Sequence, residues 1–112
     1  MTGNIFLSLR HLYDTSRMSD WPLMARIGKA QEELGEVATA GLVDEGYMSH
    51  KKLKEPFEGE VADTFICIFD ALCKRHPDKT FEQIVIMLAG QIDLKKDKWR
   101  KIVENRMQEK GA

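Results

Sequence analysis

The stretch EGEVADTFICIFDAL, residues 58–72, decides what kind of fold this chain forms. Apolar residues recur in it at three- and four-residue spacing, which predicts a helix with a buried stripe. The stripe consists of Phe57, Val61, Thr64, Phe65, Ile68 and Leu72. Further apolar residues flank it, namely Ile66, Cys67 and Phe69. A helix that is apolar around most of its circumference must be surrounded by other helices.

The sequence before this stretch predicts two helices. The first covers residues 5–15, and the break SRMSDWP (16–22) separates it from the second. In that break Ser19 or Asp20 is the candidate N-cap, and Pro22 lies in the first turn, where a missing N–H costs little. Gly46 suits the end of the second helix.

Pro56 similarly favours the first turn of the third helix. After it, TFEQ (80–83) offers a capping box for a fourth helix that runs toward residue 107. Alternation of β-branched residues between turns never develops, so strands are not expected. The prediction is an all-α chain forming a single domain over residues 1–112.

Composition excludes several classes of protein. The 112 residues carry a net charge of -1, which gives no electrostatic footprint for binding nucleic acid. Apolar runs stay well below the roughly 18 residues of a membrane span, and the N-terminus does not resemble a secretory signal. Cys67 and Cys73 would lie on different faces of one helix, so reduced thiols and a cytoplasmic location are expected.

The third helix also bears on the oligomeric state. Three other helices from a chain of 112 residues would hardly cover a helix that is apolar on several sides. We therefore expect an obligate homo-oligomer, a dimer or a tetramer, in which the protomers share one four-helix-bundle core.

Two pairs of acidic residues lie beside the predicted apolar stripes. Glu33 and Glu36 on the second helix, and Glu60 and Asp63 on the third, are each three residues apart. That spacing separates two side chains by about 60° around the helix and about 4.5 Å along it. Antiparallel packing of the two helices would bring all four carboxylates together, an oxygen-rich set that suits Mg²⁺ or Mn²⁺. Glu58 lies about 200° from Glu60 and is expected to face solvent.

Two other interpretations compete with a magnesium site. Acidic pairs at this spacing are common on solvated helix faces and then bind nothing. A di-iron carboxylate bundle would need Glu-x-x-His pairs. None of His11, His50 and His76 follows a glutamate at that spacing, so this interpretation is weak.

The motifs EELGE (32–36) and EVAD (60–63) resemble the paired acidic signature of the MazG-like, all-α nucleoside triphosphate pyrophosphohydrolases. Lys29 lies one turn before Glu33, where members of that family often carry a lysine. KIVENR (101–106) is similar to a late basic element of its short members. The resemblance extends over residues 29–106.

The resemblance implies a reaction and a set of site residues. The reaction is Mg²⁺-dependent hydrolysis of a nucleoside triphosphate to the monophosphate and pyrophosphate, with Mn²⁺ as a possible substitute. The metal ligands would be Glu33, Glu36, Glu60 and Asp63. One of these carboxylates, or the neighbouring Glu32, would orient or deprotonate the attacking water.

Basic, amide and aromatic residues would hold the nucleotide. The candidates for phosphate and sugar are Lys29, Lys98, Lys101, Asn105 and Arg106, and the candidate for stacking on the base is Trp21. For the residues after 95, a charged outer helix face is the alternative. For Lys29 it is a salt bridge to Glu33. The alternative for the whole protein is a non-catalytic helical interaction or regulatory module.

Overall fold

A computed structural model describes residues 3–48, 52–53 and 55–111, and within these ranges it contains four helices and no strand. The helices are α1 (Ile5–Met18), α2 (Leu23–Asp44), α3 (Phe57–Arg75) and α4 (Phe81–Gly111). The all-α prediction is therefore confirmed. The chain divides into two compact units, one ending at Asp78 with α1, α2 and α3, and one beginning at Lys79 with α4. No helix of the described residues is long and apolar enough to cross a membrane.

The start of α2 differs from the prediction. Pro22, rather than Ser19 or Asp20, is the N-cap of α2, and no side chain caps this helix. The Pro22 carbonyl accepts the backbone N–H groups of Ala25 and Arg26, at 3.1 and 3.3 Å. Ser19 instead follows α1, which continues three residues beyond the predicted end at residue 15. Proline takes the cap position because its fixed φ is compatible with extended backbone, and the chain turns within residues 19–21.

The other helix ends match the sequence more closely. Gly46 has a φ of 88°, the left-handed conformation that favours glycine after a helix. Pro56 is the N-cap of α3 rather than a first-turn residue. Thr80 and Gln83 form the predicted capping box through two reciprocal hydrogen bonds, of 2.9 and 3.2 Å. α4 continues four residues past the expected end at residue 107.

The helices α2 and α3 pack antiparallel. A Cβ on Gly41, late in α2, would lie 3.8 Å from the ring of Phe57 at the start of α3. At the other end of the pair, Arg26 near the start of α2 binds Asp70, late in α3, at 2.6 Å. Glu33, midway along α2, therefore lies beside the first turns of α3, which is the arrangement that the acidic pairs required.

Helix α1 lies against α3 and runs parallel to it. Its last turn contacts the last turns of α3, where the Arg17 guanidinium donates to the carbonyls of Cys73 and His76, at 2.6 and 2.8 Å. Carbonyls at the end of a helix have no partner within it, so a cation there satisfies them and complements the helix dipole. Arg17 thus fixes the end of α3 to the end of α1.

A buried arginine joins the three helices of the first unit. Arg26 is 1% exposed, and its guanidinium donates to the carbonyls of Trp21, Ser16 and Ser19. It also donates to the Ser16 hydroxyl at 2.9 Å and to an Asp70 carboxylate oxygen at 2.6 Å. Each guanidinium nitrogen has an acceptor, which is the condition under which a charge is tolerated in an interior.

The predicted buried stripe of α3 is only partly buried in the single chain, where Thr64 is buried and Phe57 and Leu72 are half-buried. Val61, Phe65 and Ile68 are 42%, 48% and 56% exposed. The buried residues of α3 are Glu60, Thr64, Phe69 and Cys73. The packing of α2 on α3 encloses the side that carries Glu60 and Thr64, whereas Val61 and Phe65 border an apolar groove beside α1 that is open to solvent. The homo-oligomer remains a prediction.

Candidate metal centre

Three carboxylates from two helices meet in the first unit. Glu33 of α2 and Glu60 and Asp63 of α3 each offer an oxygen, and these oxygens all lie within 4.8 Å of one another. The antiparallel packing of α2 on α3 creates this cluster, because it sets the middle of α2 beside the first two turns of α3. Three of the four predicted ligands are therefore brought together.

The three carboxylate residues of the cluster are buried to different degrees. Glu60 is 8% exposed, while Glu33 and Asp63 are half-buried. Among the ion pairs of the described residues, none involves Glu60 or Asp63, and Glu33 pairs only with Lys29, at 3.3 Å. A buried carboxylate without a cationic partner is costly, and a bound metal ion is a common way in which proteins offset that cost.

The dimensions of the cluster are compatible with a magnesium ion. Mg²⁺ binds oxygen at 2.0–2.1 Å in octahedral geometry, so opposite ligand oxygens lie about 4.2 Å apart. Adjacent ligand oxygens lie about 2.9 Å apart in the same geometry, so the three side chains, whose oxygens lie within 4.8 Å, would have to move closer together around the ion. An all-carboxylate set is also the one that hard divalent cations prefer.

The fourth predicted ligand lies slightly apart. Glu36 is exposed and borders the same cavity, but it is not part of the close cluster. Glu32 also borders the cavity and is exposed. These two side chains are therefore placed at the solvent side of the cluster, within the same cavity as the enclosed carboxylates.

Lys29 forms the salt bridge to Glu33 that was the alternative to a role in binding the nucleotide. Its ammonium lies 3.3 Å from Glu33 and 3.5 Å from Glu32. The hydrogen bond to Glu33 and the charge of Glu32 raise the pKa of the Lys29 ammonium. Lys29 is not among the residues that line the cavity, so its direct role in the structure is to neutralise part of the acidic cluster.

The cavity beside the cluster includes residues that the sequence analysis did not single out. It measures about 580 Å³, and its lining residues are Glu32, Glu33, Glu36, Thr39, Lys52, Leu53, Glu55, Glu60 and Asp63. Lys52 and Glu55 come from the connector between α2 and α3. The only signal for them in the sequence is the basic and acidic character of that connector, which does not reveal its fold.

Glu55 extends the acidic cluster. Its carboxyl lies over the first turn of α3, where a Cβ on Gly59 would come within 3.0 Å of its Oε2. Glycine at position 59 therefore leaves the room that this carboxyl occupies. A hydrogen bond with Asp63, together with partial burial and the charges of Asp63 and Glu60, raises the pKa of Glu55 to about 7. The carboxyl of Glu55 therefore holds a proton up to about neutral pH.

This proton predicts a dependence of stability and of metal binding on pH. The folded carboxyl of Glu55 keeps its proton up to about pH 7, whereas its ordinary pKa is 4.5. Its contribution to stability is therefore full below about pH 4.5 and is lost as the pH rises through about 7. Because a cation competes with the proton, the affinity for Mg²⁺ should rise between about pH 6 and pH 8.

Isothermal titration calorimetry with Mg²⁺ at about pH 6 and about pH 8 measures this change in affinity. Repetition in buffers of different ionisation enthalpy should show proton release at the lower pH. In Glu55→Gln the proton release should disappear. An Mg²⁺ affinity of the wild type that is independent of pH over this range would contradict the prediction.

The other predicted substrate residues lie outside this cavity or outside the first unit. Trp21 is 52% exposed in the turn before α2, where its carbonyl accepts from Arg26. The remaining four lie exposed on α4, in the second unit, and their contact with a nucleotide stays a prediction: Lys98, Lys101, Asn105 and Arg106.

Comparisons with models of protein families, with curated proteins and with solved structures found no match to this chain. What can be said of function therefore depends on the residues and geometry described above.

Proposed function

We propose that this protein is a Mg²⁺-dependent nucleoside triphosphate pyrophosphohydrolase of the MazG-like type. The observation that supports it most directly is the convergence of Glu33, Glu60 and Asp63, which come from the two motifs that resemble that family. Glu60 is nearly enclosed and has no cationic partner among the described residues. A cation at this point would offset the repulsion among the three carboxylates.

The residues have separable roles in this proposal. Glu33, Glu60 and Asp63 would hold Mg²⁺, with Glu36 as a further ligand from the solvent side of the cavity. When bound, the ion neutralises charge on the polyphosphate and polarises a phosphoryl oxygen. Mn²⁺ has similar ligand preferences and is expected to substitute.

In this proposal the exposed carboxylates at the cavity's edge act on water. Glu32 or Glu36 would orient a water molecule and accept its proton as the oxygen attacks the α-phosphorus. The bond between that phosphorus and the bridging oxygen to the β-phosphate then breaks. The products are the nucleoside monophosphate and pyrophosphate, and the proton passes from the carboxylate to solvent.

A nucleotide panel tests the proposed function. Canonical and modified ribo- and deoxyribonucleoside triphosphates are incubated with the protein and Mg²⁺ or Mn²⁺, and monophosphate and pyrophosphate are quantified by chromatography. We expect at least one triphosphate to be converted, with no turnover when EDTA is present. A panel without any monophosphate, under conditions in which the protein is folded, would refute the proposal.

A homo-oligomer is part of the same proposal. The exposed apolar residues of α3, among them Val61, Phe65 and Ile68, would be covered by another protomer. Isolated apolar residues on a surface are normal, but several on one helix indicate an interaction surface. Light scattering at micromolar concentration should give the mass of a dimer or a tetramer, and the 12.9 kDa of a monomer would contradict this.

The alternative is a non-catalytic helical interaction module. It predicts that neither Mg²⁺ nor a nucleotide raises the melting temperature, whereas a ligand that binds only the folded state must raise it. A thermal-shift series with Mg²⁺ alone and with Mg²⁺ and nucleotide therefore separates the two classes of function.

A further inference from the structure

The cavity next to the acidic cluster has a charge imbalance. Six of its described lining residues are acidic, namely Glu32, Glu33, Glu36, Glu55, Glu60 and Asp63. Lys52 is the one basic residue among them. A nucleoside triphosphate carries several negative charges, and a cavity lined by carboxylates repels it wherever the metal does not neutralise them. A side-chain cation facing the cavity would reduce this repulsion beyond what the metal does.

Lys29 does not supply such a cation to the cavity. Its ammonium is held between Glu32 and Glu33, at 3.5 and 3.3 Å, and the residue does not line the cavity. To bind a phosphate it would have to leave both carboxylates. That would remove compensating charge from the same cluster in which the metal is proposed to bind.

Lys52 is in the opposite situation. It borders the cavity from the α2–α3 connector and is exposed, yet its ammonium makes no ion pair with a carboxylate of the described residues. An ammonium group in a cavity rich in carboxylates, but bound to none of those described, is available to an incoming anion. Lysine binds phosphate as a compact point charge on a flexible stem, so it does not need a fixed geometry beforehand.

We propose that Lys52 binds the polyphosphate of the substrate and takes the role that the sequence suggested for Lys29. The inference rests on the proposed function, because it presumes a nucleoside triphosphate at the acidic cluster. It adds a substrate-binding residue from the connector, which lies outside both acidic motifs and outside the basic element at residues 101–106. Lys52, Leu53 and Glu55 thereby become a wall of the site.

Substitution of Lys52 tests the inference. Lys52→Ala should raise the KM for the triphosphate about tenfold, the typical effect of losing one charge-assisted contact. The kcat should stay within about twofold, since the metal ligands and the water-orienting carboxylates are untouched. Lys52→Arg keeps the charge and should restore most of the KM. Lys74→Ala is the matched control, because it removes a lysine from the same unit about 16 Å along α3 from Asp63.

A binding measurement separates a phosphate contact from a structural role. Isothermal titration is carried out with Mg²⁺ alone, and then with a non-hydrolysable α,β-methylene triphosphate analogue in saturating Mg²⁺. For Lys52→Ala we expect an unchanged affinity for Mg²⁺ and an affinity for the analogue that falls about tenfold. Equal losses for both ligands would assign Lys52 a structural role and overturn the inference.

The remaining outcomes distinguish the inference from the proposed function. If the wild type hydrolyses a triphosphate and Lys52→Ala has unchanged KM and unchanged analogue affinity, the role of Lys52 is wrong and the proposed function stands. If the wild type neither binds the analogue nor hydrolyses any triphosphate, the proposed function fails and the inference fails with it.

Discussion

Replacing Asp63 by Asn is expected to abolish Mg²⁺-dependent hydrolysis while leaving the fold intact. Asp63 is part of the cluster in which three carboxylate oxygens lie within 4.8 Å of one another. It is also the hydrogen-bond partner that raises the pKa of Glu55. Loss of an outer partner of a metal ligand already costs about 10–100-fold in affinity or activity, so a direct ligand should cost at least about 100-fold. Glu60→Gln should behave in the same way, because Glu60 is the most enclosed member of the cluster.

The matched control is Glu58→Gln. Glu58 lies five residues before Asp63 on the same helix but borders an apolar groove beside α1 instead of the acidic cavity. Its loss should leave kcat/KM within about twofold of the wild type, since most surface substitutions have little effect. Activity that survives in Asp63→Asn, or that falls equally in Glu58→Gln, would contradict the assignment of the metal centre.

Asp63→Asn should also change the stability of the metal-free protein. Asp63→Asn removes one of several mutually repelling carboxylates, so the metal-free protein should melt at a higher temperature than the wild type. The rise in melting temperature on adding Mg²⁺ should be lost, because that rise requires binding to the folded state. Differential scanning fluorimetry with and without Mg²⁺ measures both effects, and a stabilisation by Mg²⁺ equal to that of the wild type would exclude Asp63 as a ligand.

Replacing Arg26 by Met should be the most destabilising single change in the first unit. The methionine has a similar length but leaves the carboxylate of Asp70, the Ser16 hydroxyl and several carbonyls without their donor. Breaking a buried ion pair by removing one partner typically costs about 3–5 kcal/mol. Arg26 is also the residue that fixes the turn between α1 and α2, so the packing of both helices on α3 depends on it.

Urea unfolding followed by circular dichroism measures this effect. Arg100→Met is the control, because Arg100 is exposed and only 3.8 Å from Glu104 on the same helix, and exposed pairs contribute about 0–1 kcal/mol. In Arg26→Met, a further Asp70→Asn change should add less than it does in the wild type, since the two residues share one interaction. A loss of stability in Arg26→Met as small as that in Arg100→Met would contradict the structural role of Arg26.

Local sequence patterns predicted the helices and several of their ends. The capping box at Thr80 and the glycine stop at Gly46 depend on neighbouring backbone groups, and both are confirmed. The N-cap of α2 was wrong, because two serines, an aspartate and a proline lie close together there and only the path of the chain selects Pro22. The pairing of Glu33 with Glu60 and Asp63 followed from spacing once antiparallel packing was assumed.

Which face of α3 is enclosed was not predictable in the same way. Periodicity marks positions 61, 64, 65 and 68, but in the single chain only Thr64 of these is buried, and the acidic Glu60 is buried beside it. The role of Arg26 was likewise not visible, since it depends on a residue far away in the sequence. Arg26 contacts Asp70, which is 44 residues away in the sequence, and nothing in the local pattern around either residue indicates that contact.

By itself, then, the sequence determined the all-α class, the approximate helices and the two acidic pairs, because these depend on side-chain spacing within a few turns. The tertiary structure alone decided which three carboxylates meet and that Glu36 stays at the edge. It also placed Lys52 and Glu55 at the cavity. The physical reason is that helical spacing orients a side chain around one axis, whereas the distance between charges on two helices depends on how those helices pack.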